Sequence, residues 1–390
     1  MVSGLLVTPK PPGGEGGSRT VKGCDLAMLA VNLPRTLVVT AALCGSAFTF
    51  SPRQAKPALP TVYVLATGGT ISGRGASSTS LTEYKSGALL GEELIGAVPE
   101  VKQYANVKVE QIINVGSPDI TLDNWLTLAN RINAIFAGDS TVAGVVITHG
   151  TSTLEETAYF LNLTVKHDRP VVLVGAQRPA TAISADGPLN LLNAVRTAAS
   201  ADARGKGVLI VMNDEINAAR DVTKTNTYRV ETFRAPELGF LGYVDADKVS
   251  FYRASTRRHT VTSEFDVARI AALPAVEILY SYVQANPATI QALVAGGAKG
   301  IVFAGTGAGT LSGVETAALK QVASLPAASR PVLVRSSRTG NGRVVARTDY
   351  DSLGMIPADT LNPQKARILL MLALTETHDL KEIARMFAEY

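Results

Sequence analysis

The stretch LATGGTISGRG, residues 65–75, follows the apolar residues 62–65 and leads into a turn that mixes glycines with threonines and a serine. Glycines allow positive φ angles and let the backbone approach a ligand closely. A strand that ends in such a turn is where α/β sheets bind small molecules. The stretch therefore predicts an α/β sheet with a ligand site at the carboxyl end of this strand.

From residue 61 onward, short β-branched runs alternate with longer helical stretches. Near-continuous apolar strands separated by helices predict a parallel sheet covered on both faces. We therefore expect a larger, flavodoxin-like, doubly wound α/β domain. Its predicted strands are residues 62–67, 107–115, 144–150, 170–176 and 207–213, and its predicted helices are 121–137, 153–166 and 187–200.

A basic, threonine-rich run interrupts this rhythm at residues 253–273 and is typical of a linker. A smaller parallel α/β domain is predicted after it, with strands at 275–281, 300–305 and 331–337 and a final helix over 363–388. The predicted divisions are a leader at 1–60, an N-terminal catalytic domain at 61–252, a linker at 253–273 and a C-terminal domain at 274–390.

The first 60 residues differ in charge and composition from the rest. They carry six basic and two acidic residues, which leaves 31 of each in the remainder, so we expect no nucleic-acid partner. Arg35 precedes an uncharged apolar run, residues 36–50, that is too short to span a bilayer, and residues 45–47 offer a small-residue cleavage site. We expect a periplasmic or secreted protein with no membrane attachment after processing. The alternative is a disordered tail with an incidental apolar patch.

Neither glycine-rich stretch has a nucleotide-binding pattern. Residues 65–75 lack the Gly-Lys-Ser/Thr ending of a P-loop and the spacing of a dinucleotide fingerprint. AGTGAGTL, residues 304–311, comes closer but is interpreted as a tight strand-to-helix turn. Both cysteines, Cys24 and Cys44, lie in the leader, and only His149 among the histidines falls in a motif. We therefore expect no metal and no cofactor.

A second turn follows another predicted strand in ITHGTSTLEETAYFL, residues 147–161. Thr151 or Ser152 could simply cap the next helix, with Glu155 or Glu156 completing a capping box. The other interpretation is that hydroxyls and backbone N–H groups of this turn converge with those of the first turn on one ligand. The sequence leaves both interpretations open.

Lys224 lies in NDEINAARDVTKTNT, residues 213–227, after the fifth predicted strand. A lone lysine among threonines is most often a solvated loop residue. Beside a threonine hydroxyl, a lysine can instead hold the hydroxyl proton and so activate the oxygen without a histidine. The sequence alone does not place Lys224 next to Thr151.

Several motifs together resemble the bacterial type II L-asparaginases, and the similarity covers nearly all of residues 61–390. The motifs are ATGGTISG, THGTSTLEET, SADGPLNLLNAV, RDVTKTNT and TLNPQKARILLMLAL. The resemblance implies an amidohydrolase that converts L-asparagine and water to L-aspartate and ammonia. It also implies two domains and a homotetramer of close dimers, in which the smaller domain of the partner completes each active site.

The resemblance also assigns roles to particular residues. The resemblance implies that Thr70 is the nucleophile, or the hydroxyl closest to the scissile amide. It also implies that Tyr84, on the mobile loop that follows Thr70, activates the Thr70 hydroxyl. Thr151 pairs with Lys224 in this scheme. Ser117, in VGSPD, matches a residue that binds the α-carboxylate of the substrate.

Four positions depart from the family pattern, all where the pocket receives the α-ammonium group. Ser152 replaces an aspartate, Pro118 a glutamine or glutamate, and Thr310 an asparagine. Asp349, or else Asp351, matches a glutamate that is supplied across the dimer. An unpaired buried ammonium costs several kcal/mol, so the loss of negative charge at these positions is expected to matter for L-asparagine. Two alternatives to an asparaginase therefore stay open. One is a glutaminase-like amidase for carboxamides without a free α-ammonium, and the other is a catalytically weak amino-acid-binding homologue.

Overall fold

The computed structural model describes residues 58–390, without the side chain of Ala328. The predicted leader lies, up to residue 57, outside the described residues. Within the described part, the chain forms an eight-stranded sheet, a four-stranded sheet and two ribbons of two strands each. No helix in residues 58–390 is long and apolar enough to cross a bilayer.

The larger sheet combines five parallel strands with an antiparallel extension. Its strands are β1 (Thr61–Gly68), β4 (Asn106–Val115), β5 (Val142–Thr148), β6 (Val171–Val174), β7 (Val208–Met212), β8 (Glu215–Ala218), β11 (Gly242–Val244) and β12 (Val249–Phe251). The order across the sheet is β12-β11-β8-β7-β6-β5-β1-β4. The five parallel strands therefore follow the flavodoxin order 2-1-3-4-5, and the predicted doubly wound class is confirmed.

Helices cover both faces of this sheet. They are α1 (Gly91–Gly96), α2 (Leu122–Gly138), α3 (Leu154–Thr164) and α4 (Gly187–Ala199). Alternate residues of β1 enter different cores, with Val62 and Val64 packed against α1 and α4 and Leu65 packed with α2 and α3. Because both faces are buried there, the inner parallel strands β1, β5, β6 and β7 have nearly continuous apolar sequences, whereas the edge strand β4 is partly exposed and mixes polar with apolar residues.

The smaller sheet is fully parallel, as predicted. Its strands, β13 (Val276–Tyr280), β14 (Gly300–Gly305), β15 (Val332–Ser337) and β16 (Met355–Pro357), lie side by side in chain order. Its helices are α5 (Ala288–Ala295), α6 (Gly313–Ala323), α7 (Thr348–Asp351), α8 (Pro363–Glu376) and α9 (Leu380–Glu389). The ribbons pair β2 (Arg74–Gly75) with β3 (Tyr84–Lys85), and β9 (Thr223–Lys224) with β10 (Phe233–Arg234).

The end of the chain differs from the prediction of one helix over 363–388. Thr377 is extended, with φ −156°, and separates α8 from α9. Asp379 then begins α9 by accepting a hydrogen bond from the Lys381 N–H, so the break follows from an N-cap signal that the apolar pattern concealed. In the segment predicted as a linker, Phe265 and Val267 are buried in the core that contains α2 and α3.

Candidate active site

The first glycine turn follows β1 directly. Gly68 and Gly69 have positive φ angles of 101° and 86°, and Thr70 begins a short 3-10 turn with its side chain buried. A Cβ on Gly69 would overlap the backbone of Gly150 in the second turn. Glycine is therefore required at position 69 by both its backbone conformation and the contact between the two turns.

The two turns meet because β1 and β5 are neighbours in the sheet. The direction of strand order reverses at β1, between β4 and β5, and such a switch point leaves a crevice at the carboxyl ends of the strands. The Thr67 hydroxyl donates to the Thr148 carbonyl at 2.7 Å and ties the two strand ends together. The fold thus places both threonine turns at one crevice.

Thr70 and Tyr84 form the first close pair in this crevice. Their oxygens, Oγ1 and Oη, are 2.7 Å apart. Tyr84 lies on β3, and its ring packs so closely on Gly73 that a Cβ there would be 2.8 Å from Cδ2 of the ring. The Gly75 N–H donates to the Thr181 hydroxyl at 2.9 Å, so the loop that carries Tyr84 is anchored to a second loop.

Thr151 and Lys224 form the second pair. Lys224 Nζ is 2.8 Å from Thr151 Oγ1, across 73 residues of sequence. Thr151 is buried, and Lys224 is half-buried on β9. Burial lowers the pKa of Lys224 from its ordinary value, because the charged ammonium is poorly solvated there. A lysine with a lowered pKa is more readily neutral and able to accept a hydroxyl proton.

His149 supports the second turn. Its Nδ1 is 2.7 Å from the Gly150 carbonyl oxygen, and its Nε2 is 2.9 Å from the Thr157 hydroxyl, which also accepts the indole N–H of Trp125. Complete burial lowers the pKa of His149 to about 4. The neutral imidazole therefore donates to the carbonyl and accepts from Thr157, and it holds the turn in place.

The helix-capping alternative is not realised at this turn. The N-cap of α3 is Thr153, without a side-chain capping bond, and Thr151 bonds to Lys224 instead. The carboxylate of Glu155 accepts a hydrogen bond from the Thr223 hydroxyl at 2.9 Å. The hydroxyl and the acid that a capping box would use are both directed toward β9.

Ser117 adjoins the second turn from β4. It is buried, and its hydroxyl accepts the Ser152 N–H at 3.1 Å. A Cβ on Gly150 would lie 2.8 Å from the same hydroxyl oxygen. Pro118 and Ser152 are exposed beside it. Ser117 is thus in the Thr151 turn, while the two altered positions lie at its rim.

Thr310 and Asp349 lie in the smaller domain and bond to neighbours there. Thr310 exchanges backbone hydrogen bonds with Thr306, in a tight turn after β14. Asp349, with 57% of its side chain exposed, pairs with Arg347 at 2.8 Å. The described chain does not bring either residue to Thr70 or Thr151 through these contacts, and their role across a dimer stays a prediction.

Both halves of the described chain match known family models. Residues 61–257 match the model described as Asparaginase, N-terminal. Residues 275–387 match the Glutaminase/Asparaginase C-terminal domain. The chain belongs to the asparaginase/glutaminase family.

Individual members of the asparaginase/glutaminase family are similar over most of the chain. L-asparaginase 2 of Bacillus subtilis is 52% identical over 340 residues, which cover 86% of this chain and 88% of that protein. The probable periplasmic L-asparaginase of Haemophilus influenzae is 48% identical, covering 85% and 93%. The crystal structure of a probable cytoplasmic L-asparaginase from Campylobacter jejuni matches with a TM-score of 0.82 and 46% identity, covering 85% and 100%. The predicted resemblance is confirmed.

A polar cluster behind the second pair was not predicted from the sequence, which offered Glu155 only as part of a capping box. Its members are Glu155, Thr223, Asn362 and Lys365, which are joined by hydrogen bonds and one ion pair. Two of them, Asn362 and Lys365, occur in TLNPQKARILLMLAL, one of the motifs that carry the asparaginase resemblance. A polar Asn and Lys at the start of a long apolar helix were the available signal.

Proposed function

We propose that the protein is an L-asparaginase, which hydrolyses the side-chain amide of L-asparagine to L-aspartate and ammonia. The observation that carries this proposal is that two threonine hydroxyls, at the ends of neighbouring strands, each lie beside a group that can exchange a proton with them. Thr70 is 2.7 Å from the phenol of Tyr84, and Thr151 is 2.8 Å from the amine of Lys224. The names of the relatives support the same activity.

In the proposed reaction, the Thr70 hydroxyl oxygen attacks the amide carbon of the substrate. Its proton passes through Tyr84, or through the Thr151 and Lys224 pair, to the amide nitrogen. The carbon–nitrogen bond then breaks and ammonia leaves, with the acyl group held as an ester on Thr70. Water attacks this ester, releases aspartate and returns the proton to Thr70. These steps need no cofactor.

The surroundings of the second turn fit the charges of this reaction. Ser117, with its hydroxyl at the turn, is proposed to bind the α-carboxylate of the substrate. The turn also precedes the N-terminus of α3, where the helix dipole and free N–H groups favour negative charge. That end of the helix supports the oxyanion which forms when the hydroxyl attacks.

Ammonia release from the purified protein tests the proposed activity. The substrates are L-asparagine, L-glutamine and succinamate, at high enzyme concentration and with EDTA present. We expect release from L-asparagine that EDTA does not reduce. Release from none of the three, together with calorimetric binding of L-asparagine, would instead identify an amino-acid-binding protein.

The exposed Ser152 predicts a weakened preference for the α-ammonium group. A hydroxyl accepts a hydrogen bond from an ammonium but does not neutralise it, and charge-assisted hydrogen bonds are roughly twice as strong as neutral ones. We propose that L-asparagine is bound weakly. Succinamate, which lacks the ammonium, loses less affinity than L-asparagine does relative to a family member with aspartate at position 152. Ser152→Asp is then expected to raise the ratio of kcat/KM for L-asparagine over succinamate by about tenfold.

Ser152→Asn is the matched control for this change, since it has nearly the shape of aspartate without the charge. We expect it to leave the ratio of the two kcat/KM values within about twofold of wild type. An unchanged ratio in Ser152→Asp would mean that another acidic group already neutralises the ammonium. The protein would then be an asparaginase of ordinary specificity.

We also propose that the protein assembles as a homotetramer of close dimers, as its family resemblance implies. Thr310 and Asp349 would then reach the pocket of a partner subunit from the smaller domain. The exposure of Asp349 is compatible with such a contact. The edge strand β13 and the residues after it also expose apolar side chains, among them Tyr280, Tyr282 and Val283.

Export from the cytoplasm is a further part of the proposal. Residues 36–50 and the small residues at 45–47 support it, and the relative from Haemophilus influenzae is named periplasmic, whereas that from Campylobacter jejuni is named cytoplasmic. N-terminal sequencing of protein from the native host is expected to find a first residue between 46 and 60. A chain that retains residues 1–60 in the cytosol would overturn this expectation.

A further inference from the structure

A buried carboxylate lies behind the Thr151 and Lys224 pair. Glu155, on the first turn of α3, is only 5% exposed. Its Oε1 accepts hydrogen bonds from the Thr223 hydroxyl at 2.9 Å and from the Lys224 backbone N–H at 3.3 Å. One carboxylate oxygen therefore contacts both residues of β9.

The smaller domain holds the other side of this carboxylate. The side-chain amide of Asn362, the N-cap of α8, donates to Glu155 Oε2 at 3.2 Å. Lys365 Nζ lies 3.8 Å from the same oxygen and is 1% exposed. Since a carboxylate buried without such partners would be costly, Asn362 and Lys365 make its position possible.

Lys365 also holds the chain that leads into β9. Its Nζ donates to the Arg220 carbonyl at 2.8 Å and to the Val222 carbonyl. The segment 220–224 is thus attached to α3 through Glu155 and to α8 through Lys365. It connects the larger domain to the last long helix of the smaller one.

The strand that carries Lys224 is short, and buried apolar residues lie beside it. Strand β9 has two residues and, within residues 58–390, pairs with β10 through Phe233 and Arg234. Val222, just before β9, and Phe233 are buried in the core that contains α2 and α3. An isolated two-stranded ribbon is marginally stable at best. The apolar contacts hold this ribbon against the core, and the hydrogen bonds to Glu155 fix the two residues of β9 within it.

We propose that Glu155 is a positioning residue for the reaction, which places Lys224 against Thr151 through its hydrogen bonds to β9. Asn362 and Lys365 keep the carboxylate in the orientation that serves both bonds. The inference rests on the proposed function, because it assigns Glu155 a role through Lys224. It extends the active site of one chain into the smaller domain of the same chain.

Thr223→Val is the gentlest test, because it removes one hydrogen bond to Glu155 with little change in volume. A small misplacement of a catalytic group is enough to slow a reaction by orders of magnitude. We expect kcat for ammonia release to fall about tenfold while KM changes less than about twofold. Thr223→Ser keeps the hydroxyl and is expected to restore kcat to within about twofold of wild type.

Thr197→Val is the control for loss of a hydrogen-bonded threonine hydroxyl, at a site more deeply buried than Thr223. The Thr197 hydroxyl donates to the Asn193 carbonyl inside α4, away from β9. We expect this variant to lower Tm as much as Thr223→Val does, or more, and to keep the wild-type kcat. A Tm change alone therefore does not account for the expected loss in Thr223→Val.

Glu155→Gln gives the larger effect. The amide NH2 of the new glutamine would face either the Asn362 amide or the donors of β9. Whichever donors it faces would lose their acceptor, so we expect kcat to fall about a hundredfold. Wild-type kcat in Thr223→Val, or a loss that Thr223→Ser does not restore, would overturn the role of Glu155. If Lys224→Met also kept full activity, the proposed mechanism itself would fail, which separates the two outcomes.

Discussion

Thr70→Ala is expected to reduce kcat for L-asparagine by at least about a thousandfold while the protein stays folded. Thr70 Oγ1 is the attacking oxygen in the proposed reaction, and the Tyr84 phenol oxygen lies 2.7 Å from it, within reach of its proton. Alanine leaves no oxygen at this point of the crevice. Steady-state ammonia release, with Tm measured in parallel, gives the comparison.

Ser72→Ala is the control for Thr70→Ala, because it removes a buried hydroxyl from the same 3-10 turn. The Ser72 hydroxyl donates to the Gly69 carbonyl at 3.1 Å and faces no proposed proton path. We expect its kcat to stay within about threefold of wild type. Near-normal turnover in Thr70→Ala would remove Thr70 as nucleophile and transfer that role to Thr151.

Lys224→Met is expected to lower kcat by about a hundredfold or more. The lysine amine, 2.8 Å from Thr151 Oγ1, must be neutral to accept the hydroxyl proton. Burial lowers the pKa of Lys224, so the neutral form becomes available at a lower pH than in an exposed lysine. As pH falls through that pKa, the amine is protonated and kcat/KM is expected to decrease.

The pH profile separates a base from a fixed positive charge at this position. Lys224→Arg keeps the charge, but a guanidinium does not deprotonate in the working range, so we expect it to be as slow as Lys224→Met. Both variants are expected to lose the acidic limb of kcat/KM that belongs to Lys224. Wild-type activity in Lys224→Arg would show that only the positive charge matters.

Much of the fold was predictable because its inner parallel strands are buried on both faces and have nearly continuous apolar sequences. The five predicted strands of the larger domain agree with β1, β4, β5, β6 and β7 to within two residues. The short strands β8, β11 and β12 were missed. They have three or four residues each and pair antiparallel at one edge, where no apolar run distinguishes them.

The site was predictable only in part from the residues themselves. Strand ends and hydroxyl-rich turns pointed to Thr70 and Thr151, but pairing Thr151 with Lys224 needed the family resemblance. The Glu155 contact to Asn362 spans 207 residues and two domains. Neither periodicity nor motif spacing reports such a contact, because it depends on how the two domains pack.

The contact between Gly69 and Gly150 has a consequence for how this protein can evolve. Main chain touches main chain there, so the relative position of the two threonine turns does not depend on any side chain at the contact. Ser152 and Pro118 lie outside that contact, at an exposed rim. Substitutions at the rim can therefore change which substrates bind while the reacting groups keep their arrangement, whereas a side chain at either glycine would move the two turns apart.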